Sequence, residues 1–383
     1  RDLVRLLAGL ADLPQGTLGQ PWADVAADDP DGLAARGAVG ARLVLRQGGN
    51  VGLDGTVNYR AAERAVALAL GFQKPLTVLS RLTDASGRRL RTPPGFAASV
   101  VAREAELRRN YPSPDDGLER PDWAPMRLAD LLYMFARARE IQAEGEPESV
   151  RALETIQLPA MDPGVVPIVE RALGQVGQPY VWGGEWPDPA SPLDAQAAGG
   201  FDCSGLVWFA YRAGEGAKQA GMSIPDGRTT YTMAQGRRGK VVPVSTTKAG
   251  DLVFFGDRGP RTPNNAVSHV GMALGGGWIV QSSGSRAGVT VSYLPAYWPE
   301  GIQGARTYYG GVVTPVTPVP PATPTVPTTP TTPTTTTPTT PATTTPPTTA
   351  PLPVTTPSST PGAPPQPVTP PPPATTPVPP PAG

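Results

Sequence analysis

Residues 201–214 read FDCSGLVWFAYRAG, and this stretch decides the fold of the second half of the chain. Leu206 and Phe209 recur at helical spacing, which predicts a helix that begins at Cys203 and stops near Gly214. The positive end of a helix dipole and its free backbone N–H groups favour a thiolate over a thiol. The same N–H groups can stabilise an oxyanion on an attacked carbonyl. The stretch therefore predicts a cysteine nucleophile suited to acyl transfer.

A cysteine nucleophile needs a base, and the sequence contains one histidine, His269, in the run VSHVGMAL. The alternation of this run places His269 on one face of a strand. The neighbouring run WIVQSS supplies Gln281, whose carboxamide can hold the imidazole in one tautomer without adding charge. The alternative is that the lone cysteine is a small buried hydrophobe and the lone histidine an ordinary core or surface residue.

The fold class follows from the runs on either side of the Cys203 helix. A helix-like stretch, VVPIVERALGQVG, precedes it at 165–177. Short strand-like runs separated by Gly, Asp, Asn and Pro follow it, and these predict an antiparallel sheet of hairpins. The runs are KVVPV (240–244), GDLVFFG (250–256), AVSHVGMAL (266–274), GWIVQSS (277–283) and GVTVSYL (288–294). Helices followed by such strands predict an α+β fold.

Composition excludes several classes of function. The 32 basic and 32 acidic residues balance, so the chain carries no electrostatic signature of nucleic-acid or anionic-membrane binding. One cysteine excludes an internal disulfide, and one cysteine with one histidine excludes the usual zinc clusters, so we expect no metal and no cofactor. No apolar run approaches the roughly 18 to 20 residues that span a bilayer. The sequence begins at Arg1 rather than Met, which is compatible with a removed signal or anchor.

The chain divides into three predicted regions: a mainly helical domain at 1–150, an α+β domain at 163–310 and a tail at 311–383. The tail consists largely of Pro and Thr, as in TPVTPVPPATPTVPTTP. Proline fixes φ and removes backbone donors, and so few large apolar groups cannot offset the entropy of ordering, so we expect a disordered spacer. A glycosylated stalk that crosses a wall or surface coat is the alternative.

Residues 1–150 contain a weak internal repeat. Arg60–Glu63 and Arg127–Asp130 both read Arg-x-Ala-acid at the start of apolar runs with helical spacing. With the acidic PWADVAADDP that precedes the first of them, this pattern resembles the surface-layer-homology repeat, although Tyr59 stands in place of the usual threonine. The resemblance implies binding of cell-wall polysaccharide. The alternative is an unrelated helical domain whose arginines cap or solvate its surface.

The motifs of the α+β region occur in the order PYVWGG, FDCSGLV, RTT, GDLVFF, SHVGMAL and IVQSS. This order resembles the NlpC/P60 family of cell-wall cysteine peptidases. The resemblance implies a papain-like core that hydrolyses peptide bonds in peptidoglycan stems, commonly between D-isoglutamate and a diamino acid. It identifies Cys203 as the nucleophile, His269 as the base and Gln281 as the third residue, which orients the imidazole. Many family members have histidine at that third position.

The resemblance also implies a set of substrate-binding or oxyanion residues. Tyr180 in PYVWGG matches a tyrosine that lines the family's site, and its alternative role is that of a core aromatic. Asp202 and Ser204 match positions that contact the substrate, although both are also ordinary helix-capping types. Ser268, which precedes the predicted base, belongs to the same set. Arg228 in DGRTT matches an arginine position, where a structural pairing is the alternative to a substrate contact.

One departure from the family pattern is the stretch EWPDPASPLDAQAAGG at 185–200, where the family usually has a much shorter turn. Because the stretch ends just before the predicted nucleophile, we expect it to form a rim or lid that limits which stem peptides enter. A tolerated surface loop is the alternative.

Together these features predict a secreted or wall-associated bacterial enzyme, a peptidoglycan endopeptidase. Its expected partners are stem peptides and, through residues 1–150, cell-wall polysaccharide. One alternative is a wall-binding or structural surface protein whose papain-like domain has lost its activity. Another keeps the fold and changes the chemistry to that of an amidase or acyltransferase.

Overall fold

The structure is a computed structural model, and it describes residues 1–308 apart from 12, 14–21, 23, 27–28, 47–48, 112–117, 190–196 and 213–224. Residues 1–319 cluster as one compact unit. The predicted tail at 311–383 and the predicted helix stop at Gly214 lie outside the described residues. Within the described ranges, no helix combines the length and the apolar character that a membrane span needs.

The described part of residues 1–150 is mainly helical, as the apolar spacing predicts. Helix α1, for example, buries Val4, Leu7 and Leu10, which recur every three residues and so lie on one face. The helices before the cysteine are α1 (Asp2–Leu10), α2 (Gly32–Gly40), α3 (Tyr59–Ala69), α4 (Gln73–Leu79), α5 (Phe96–Glu104), α6 (Leu128–Glu144), α7 (Glu148–Leu153) and α8 (Val166–Leu173).

The two Arg-x-Ala-acid segments of the weak repeat lie at the starts of α3 and α6. The side chain of Asn58 caps α3 by accepting a hydrogen bond from the Ala61 N–H at 2.9 Å. The Tyr59 hydroxyl donates to the carboxylate of Asp130, which joins the two helix starts. The segments therefore have a structural role, and the surface-layer-homology interpretation stays a prediction.

A six-stranded antiparallel sheet follows, with strand order β4-β9-β5-β6-β7-β8. Its strands are β4 (Lys240–Val242), β5 (Leu252–Phe255), β6 (His269–Gly275), β7 (Trp278–Ser283), β8 (Gly288–Tyr293) and β9 (Ile302–Thr307). All the predicted strand runs lie in β4 to β8, and the α+β class is confirmed. Strand β9 was not predicted, because its sequence IQGART has no apolar alternation.

Helix α9 (Cys203–Arg212) begins at the cysteine as predicted and packs on β6 and β7. Two short helices, α10 (Thr230–Gln235) and α11 (Leu294–Tyr297), complete the region. Helices α5 and α7 of the N-terminal part pack on β8. One buried apolar cluster includes side chains of both parts, among them Val100 of α5 and Val289 of β8.

A small second sheet lies against α9 and holds its first turn. Its strands are β1 (Gly184–Trp186), β2 (Ala197–Ala198) and β3 (Gly200–Phe201), in the order β2-β1-β3. Gly205 in the first turn of α9 packs so closely on β1 that an added Cβ would lie 1.8 Å from the carbonyl oxygen of Gly184. This contact requires glycine at position 205, and it sets where the helix start lies.

Candidate active site

The thiol of Cys203 lies at the start of α9 beside strand β6. The residue is 7% exposed, and its Sγ lies 3.4 Å from Oγ1 of Thr230 at the start of α10. The backbone N–H of Val270 lies near the sulfur and acts to lower the pKa of the thiol. Because Val270 follows His269 directly in β6, the structure brings the predicted nucleophile next to the strand that carries the predicted base.

The imidazole of His269 is held by Gln281, the residue predicted for this role. Nε2 of His269 lies 2.6 Å from Oε1 of Gln281, and Nε2 of the carboxamide donates to Oγ of Ser292 at 2.9 Å. In this orientation the amide oxygen faces the ring and the amide NH₂ group faces Ser292. Since Oε1 can only accept, the histidine carries its proton on Nε2 and keeps the lone pair of Nδ1 for another partner.

Loss of contact with water, nearly complete at Cys203 and partial at His269, shifts the pKa of both groups. Removal from water lowers the pKa of His269 to about 4, and hydrogen bonding to Gln281 opposes this only in part. Burial, with the negative charge of Asp202 as a second cause, raises the pKa of Cys203 to about 11. The resting pair at neutral pH is therefore a neutral thiol and a neutral imidazole. Burial and the charge of Asp202 thus act against the thiolate that a helix start favours, and stabilisation of the thiolate by the helix start stays a prediction.

Asp202, one of the predicted substrate contacts, caps the helix, and Ser204 bonds to the capping side chain. Oδ1 of Asp202 accepts from the Gly205 N–H at 2.6 Å and from the Ser204 hydroxyl at 3.1 Å. The first of these bonds satisfies a backbone donor that the first turn of a helix leaves without an intrahelical partner. The capping role is thus observed for Asp202 alone, and a contact of either residue with substrate stays a prediction.

Arg228 braces the residues around the nucleophile. Its Nε donates to Glu185 at 2.9 Å, and its Nη1 donates to Asp202 at 3.1 Å and to Ser204 at 2.9 Å. Its Nη2 donates to the carbonyl oxygen of Gly184 at 2.9 Å. The structural pairing considered for this arginine is therefore present. It joins the first residue of the 185–200 insertion to the helix start.

Two aromatic rings pack near the imidazole of His269, and neither contact was predicted from the sequence. The ring of Phe255 lies 5.4 Å from that of His269, and the ring of Tyr297 lies 5.9 Å from it. The Tyr297 hydroxyl lies 2.9 Å from Oγ of Ser283. Neither Tyr297 nor the hydroxyl of Thr230 was predicted as a site residue. The RTT motif contains Thr230, but PAYW around Tyr297 has no distinguishing pattern.

The remaining predicted residues, Tyr180 and Ser268, lie on the segments that frame the site. Tyr180 pairs with Phe201 in a parallel bridge, and its N–H donates to Oε2 of Glu119 at 3.1 Å. The N–H of Ser268 donates to the carbonyl oxygen of Phe255 at 2.9 Å. These are backbone contacts, so the proposed roles of both side chains toward an oxyanion or substrate stay predictions.

The 185–200 insertion is anchored at both described ends. Residues 184–186 and 197–201 form the small sheet, and the ring of Trp186 packs edge-on against Phe209 at 5.2 Å. Residues 190–196 are outside the described part, so the rim or lid stays a prediction. Across the described ranges of the chain, no group of three or more His, Cys, Asp or Glu side chains is arranged to hold a metal ion.

Residues 177–307 match the NlpC/P60 family, and they form an NlpC/P60 domain. The chain is 39% identical over 127 residues to a protein of Mycobacterium tuberculosis (strain ATCC 25618 / H37Rv) named peptidoglycan endopeptidase RipB. That match covers 33% of this chain and 46% of RipB. It is also 33% identical over 152 residues to the gamma-DL-glutamyl hydrolase of Bacillus subtilis (strain 168), which covers 39% of this chain and 31% of the hydrolase.

Among solved structures, the NlpC/p60 domain of the peptidoglycan hydrolase SagA is 30% identical, with a TM-score of 0.28. It covers 37% of this chain and 97% of the SagA domain. The chain spans less than half the length of the two curated relatives.

Proposed function

We propose that the NlpC/P60 domain at residues 177–307 makes this protein a peptidoglycan endopeptidase in which Cys203 attacks the stem peptide. The observation that carries the proposal is the contact of His269 with Gln281, on the strand beside the thiol. A thiol, an adjacent imidazole and a group that orients the imidazole are the parts that cysteine peptidase chemistry needs. The printed name of the M. tuberculosis relative supports the substrate class.

Acylation begins when Nδ1 of His269 takes the thiol proton as Sγ of Cys203 attacks the scissile carbonyl carbon. The carbonyl oxygen becomes an oxyanion, which the N–H groups at the start of α9 can stabilise. The C–N bond then breaks, and the imidazolium gives its proton to the leaving amine. The products of this half-reaction are a free amino group and a thioester on Cys203.

Deacylation uses the same groups in reverse. A water molecule attacks the thioester carbon while His269 accepts a proton from it, and a second oxyanion forms. The C–S bond breaks, and the imidazolium returns its proton to the sulfur of Cys203. One water is consumed, one carboxylic acid is released and the enzyme regains its starting state.

The charge states of the resting site agree with this sequence of proton transfers. The lowered pKa of His269 keeps the ring able to accept a proton at neutral pH. The raised pKa of Cys203 means that the thiolate forms only as attack occurs. Substrate bound beside Cys203 and His269 excludes water from the site. Attack on its carbonyl group then forms the oxyanion that the site stabilises.

Within the stem peptide, the proposed bond is the one between D-isoglutamate and the diamino acid. The resemblance in sequence implies this bond, and the printed name of the B. subtilis relative, a gamma-DL-glutamyl hydrolase, supports it. Residues 185–200 are proposed as a rim that limits which stems enter. Unchanged cleavage of long and short stems after residues 190–196 are shortened would contradict the rim.

The regions outside the NlpC/P60 domain are proposed to localise the enzyme at the cell wall. Residues 1–150 would bind cell-wall polysaccharide, and residues 311–383 would act as a spacer, in a protein that is secreted or attached to the wall. Binding of the wild type to purified sacculi, compared with sacculi stripped of secondary polysaccharide, tests the first of these roles. Equal binding to both would contradict it.

The test of the function uses synthetic stem peptides with L-alanine, γ-linked D-glutamate and either diaminopimelate or lysine. Folded, reduced wild type is expected to release the diamino-acid fragment, and Cys203→Ala is not. Mass spectrometry of the products identifies the bond. Intact synthetic peptides together with release of whole stems from purified peptidoglycan would favour the amidase alternative. Intact peptides together with tight binding to peptidoglycan would favour the inactive wall-binding protein.

A further inference from the structure

A chain of hydrogen bonds continues from the histidine into the N-terminal part of the molecule. Nε2 of His269 contacts Oε1 of Gln281 at 2.6 Å, and Nε2 of Gln281 donates to Oγ of Ser292 at 2.9 Å. The hydroxyl of Ser292 then donates to Oε1 of Glu104 at 2.6 Å. Three consecutive bonds therefore join the imidazole to a carboxyl group.

Glu104 lies outside the NlpC/P60 domain and reaches the site through packing. It is the last residue of α5, which packs on β8, the strand that carries Ser292. The residue is 2% exposed, and Oγ of Ser149 in α7 donates to its carbonyl oxygen at 2.7 Å. The helix end is thus fixed, and the side chain is directed at the sheet.

The electrostatic surroundings of Glu104 are unusual for a carboxyl group. Its Oε2 has no hydrogen-bond partner among the described residues. Burial is the largest effect on Glu104 and raises its pKa above the usual value. The positive charge of Arg286 and the hydrogen bond from Ser292 act to lower the pKa, and the negative charge of Glu106 acts to raise it. Arg286 itself is paired with Glu106 at 2.6 Å. Burial of a carboxyl group costs folding free energy. The position of Glu104 at the end of this hydrogen-bond chain therefore indicates that it has a function.

The role follows from the direction of the bonds. The Ser292 hydroxyl gives its single proton to Oε1 of Glu104. The oxygen of Ser292 is then free to accept from the Gln281 amide, which turns the amide oxygen toward His269. If the chain ended without an acceptor, the Ser292 hydroxyl could donate to the amide oxygen. The amide would turn over and present its NH₂ group to the ring.

The two amide orientations select opposite tautomers of the imidazole. With the amide oxygen facing the ring, the proton lies on Nε2 and the lone pair of Nδ1 can accept the thiol proton. With the NH₂ group facing the ring, Nε2 must accept and the proton moves to Nδ1, where it blocks the proposed base.

We propose that Glu104 is a positioning residue of the active site, which acts through Ser292 and Gln281 to fix the tautomer of His269. The effect of Glu104 on catalysis rests on the proposed function. Its effect on the tautomer of His269 does not, because that effect concerns only which ring nitrogen carries the proton. Through Glu104, helix α5 of the N-terminal part would influence which nitrogen of His269 is protonated.

Nitrogen NMR of the full chain with ¹⁵N-labelled histidine tests the proposal directly. The sequence contains one histidine, so an untagged chain gives one imidazole whose two nitrogens report the tautomer. The wild type is expected to carry the proton on Nε2 at neutral pH. Glu104→Met, which removes the acceptor but keeps a side chain of similar size, and Ser292→Ala, which breaks the chain, are both expected to populate the Nδ1–H form.

Thr290→Val is the matched control. The Thr290 hydroxyl lies 3.5 Å from the same oxygen of Glu104, but it is not part of the chain to Gln281. This variant should keep the tautomer of the wild type. A wild-type tautomer in both Glu104→Met and Ser292→Ala would overturn the proposal, as would an equal shift in Thr290→Val. If one of the two test variants does not fold, the other decides.

Kinetics supply a second readout that a purely structural role would not produce. In folded Glu104→Met and Ser292→Ala, we expect kcat to fall about tenfold or more while KM changes by less than about twofold, because only the base is affected. Equal kcat values would count against a role in positioning. Since the NMR measurement needs no substrate, a tautomer shift would support the assignment even if the wild type left peptidoglycan intact. The two proposals therefore fail separately.

Discussion

Nε2 of His269 lies 2.6 Å from Oε1 of Gln281 on the neighbouring strand, and this contact leaves Nδ1, the other ring nitrogen, outside the bond to Gln281. The two residues belong to β6 and β7, which are joined by a tight turn at 276–277. A hairpin of this kind fixes the relative position of its side chains through backbone bonds. The catalytic account depends on this contact, and the predictions below test its parts.

The first prediction concerns Gln281. Replacement by alanine removes the acceptor for Nε2–H, so we expect kcat to fall about a hundredfold with little change in KM. Gln281→His supplies the residue that many family members use, and it should recover part of the loss. Steady-state cleavage of a stem peptide measures both variants. Full activity in Gln281→Ala would contradict the proposed role.

The second prediction concerns the pH dependence of activity. The free enzyme needs a neutral imidazole as its base, and burial lowers the pKa of His269 to about 4. The acid limb of kcat/KM should therefore lie near pH 4 rather than near 6.5, the usual value for histidine. A profile of kcat/KM from pH 3 to 8 measures it. An acid limb between pH 6 and 7 would contradict the burial of the ring.

The third prediction concerns stability in acid. The folded pKa of His269 is lowered, so the unfolded state binds more protons between pH 6.5 and about 4. This contribution to the free energy of unfolding is fully present above pH 6.5. It is lost as pH falls toward 4, by up to about 3 kcal/mol. Urea unfolding of the wild type and His269→Gln at several pH values isolates it. Parallel pH profiles for the two proteins would contradict the prediction.

The fourth prediction concerns the close approach at Gly205. A Cβ there would lie 1.8 Å from the carbonyl oxygen of Gly184, so Gly205→Ala must move α9 away from β1. We expect a loss of at least about 2 kcal/mol in the free energy of unfolding. Gly304→Ala is the control, because no atom lies within 4 Å of a Cβ built at that position. Equal stability of the two variants would show that the contact is not restrictive.

The fifth prediction separates the two roles considered for Arg228. As a brace with buried partners, its replacement by glutamine should lower the free energy of unfolding by about 3 kcal/mol, and Arg228→Lys should recover part of it. Urea unfolding and KM for a stem peptide are measured together. A higher KM without loss of stability would assign the arginine to substrate binding instead.

Sequence patterns over a few neighbouring residues were sufficient to predict individual helices and strands. The apolar spacing after Cys203 predicted α9, and the alternation around His269 and Gln281 predicted β6 and β7. His269 was chosen as the only histidine of the sequence, and Gln281 was chosen for its place among apolar residues of the neighbouring strand-like run. Strand β9 was missed because IQGART forms a strand through its pairing with β5, which is a long-range contact.

The properties that the sequence did not reveal depend on packing between distant segments. The helix start at Cys203 predicted a thiolate, but the degree of burial that raises its pKa is set by the whole fold. Glu104 lies 188 residues before Ser292, and no spacing rule connects a helix end with a strand at that separation. Tyr297 likewise reaches the histidine only because α11 folds back against β8.

The measurement that tests the central claim most directly is digestion of purified peptidoglycan by the wild type and by Cys203→Ala, with the released muropeptides read by mass spectrometry. The account predicts fragments cut within the stem peptide from the wild type and none from the variant. Identical fragments from both proteins, or none from folded and reduced wild type on several peptidoglycan types, would contradict it.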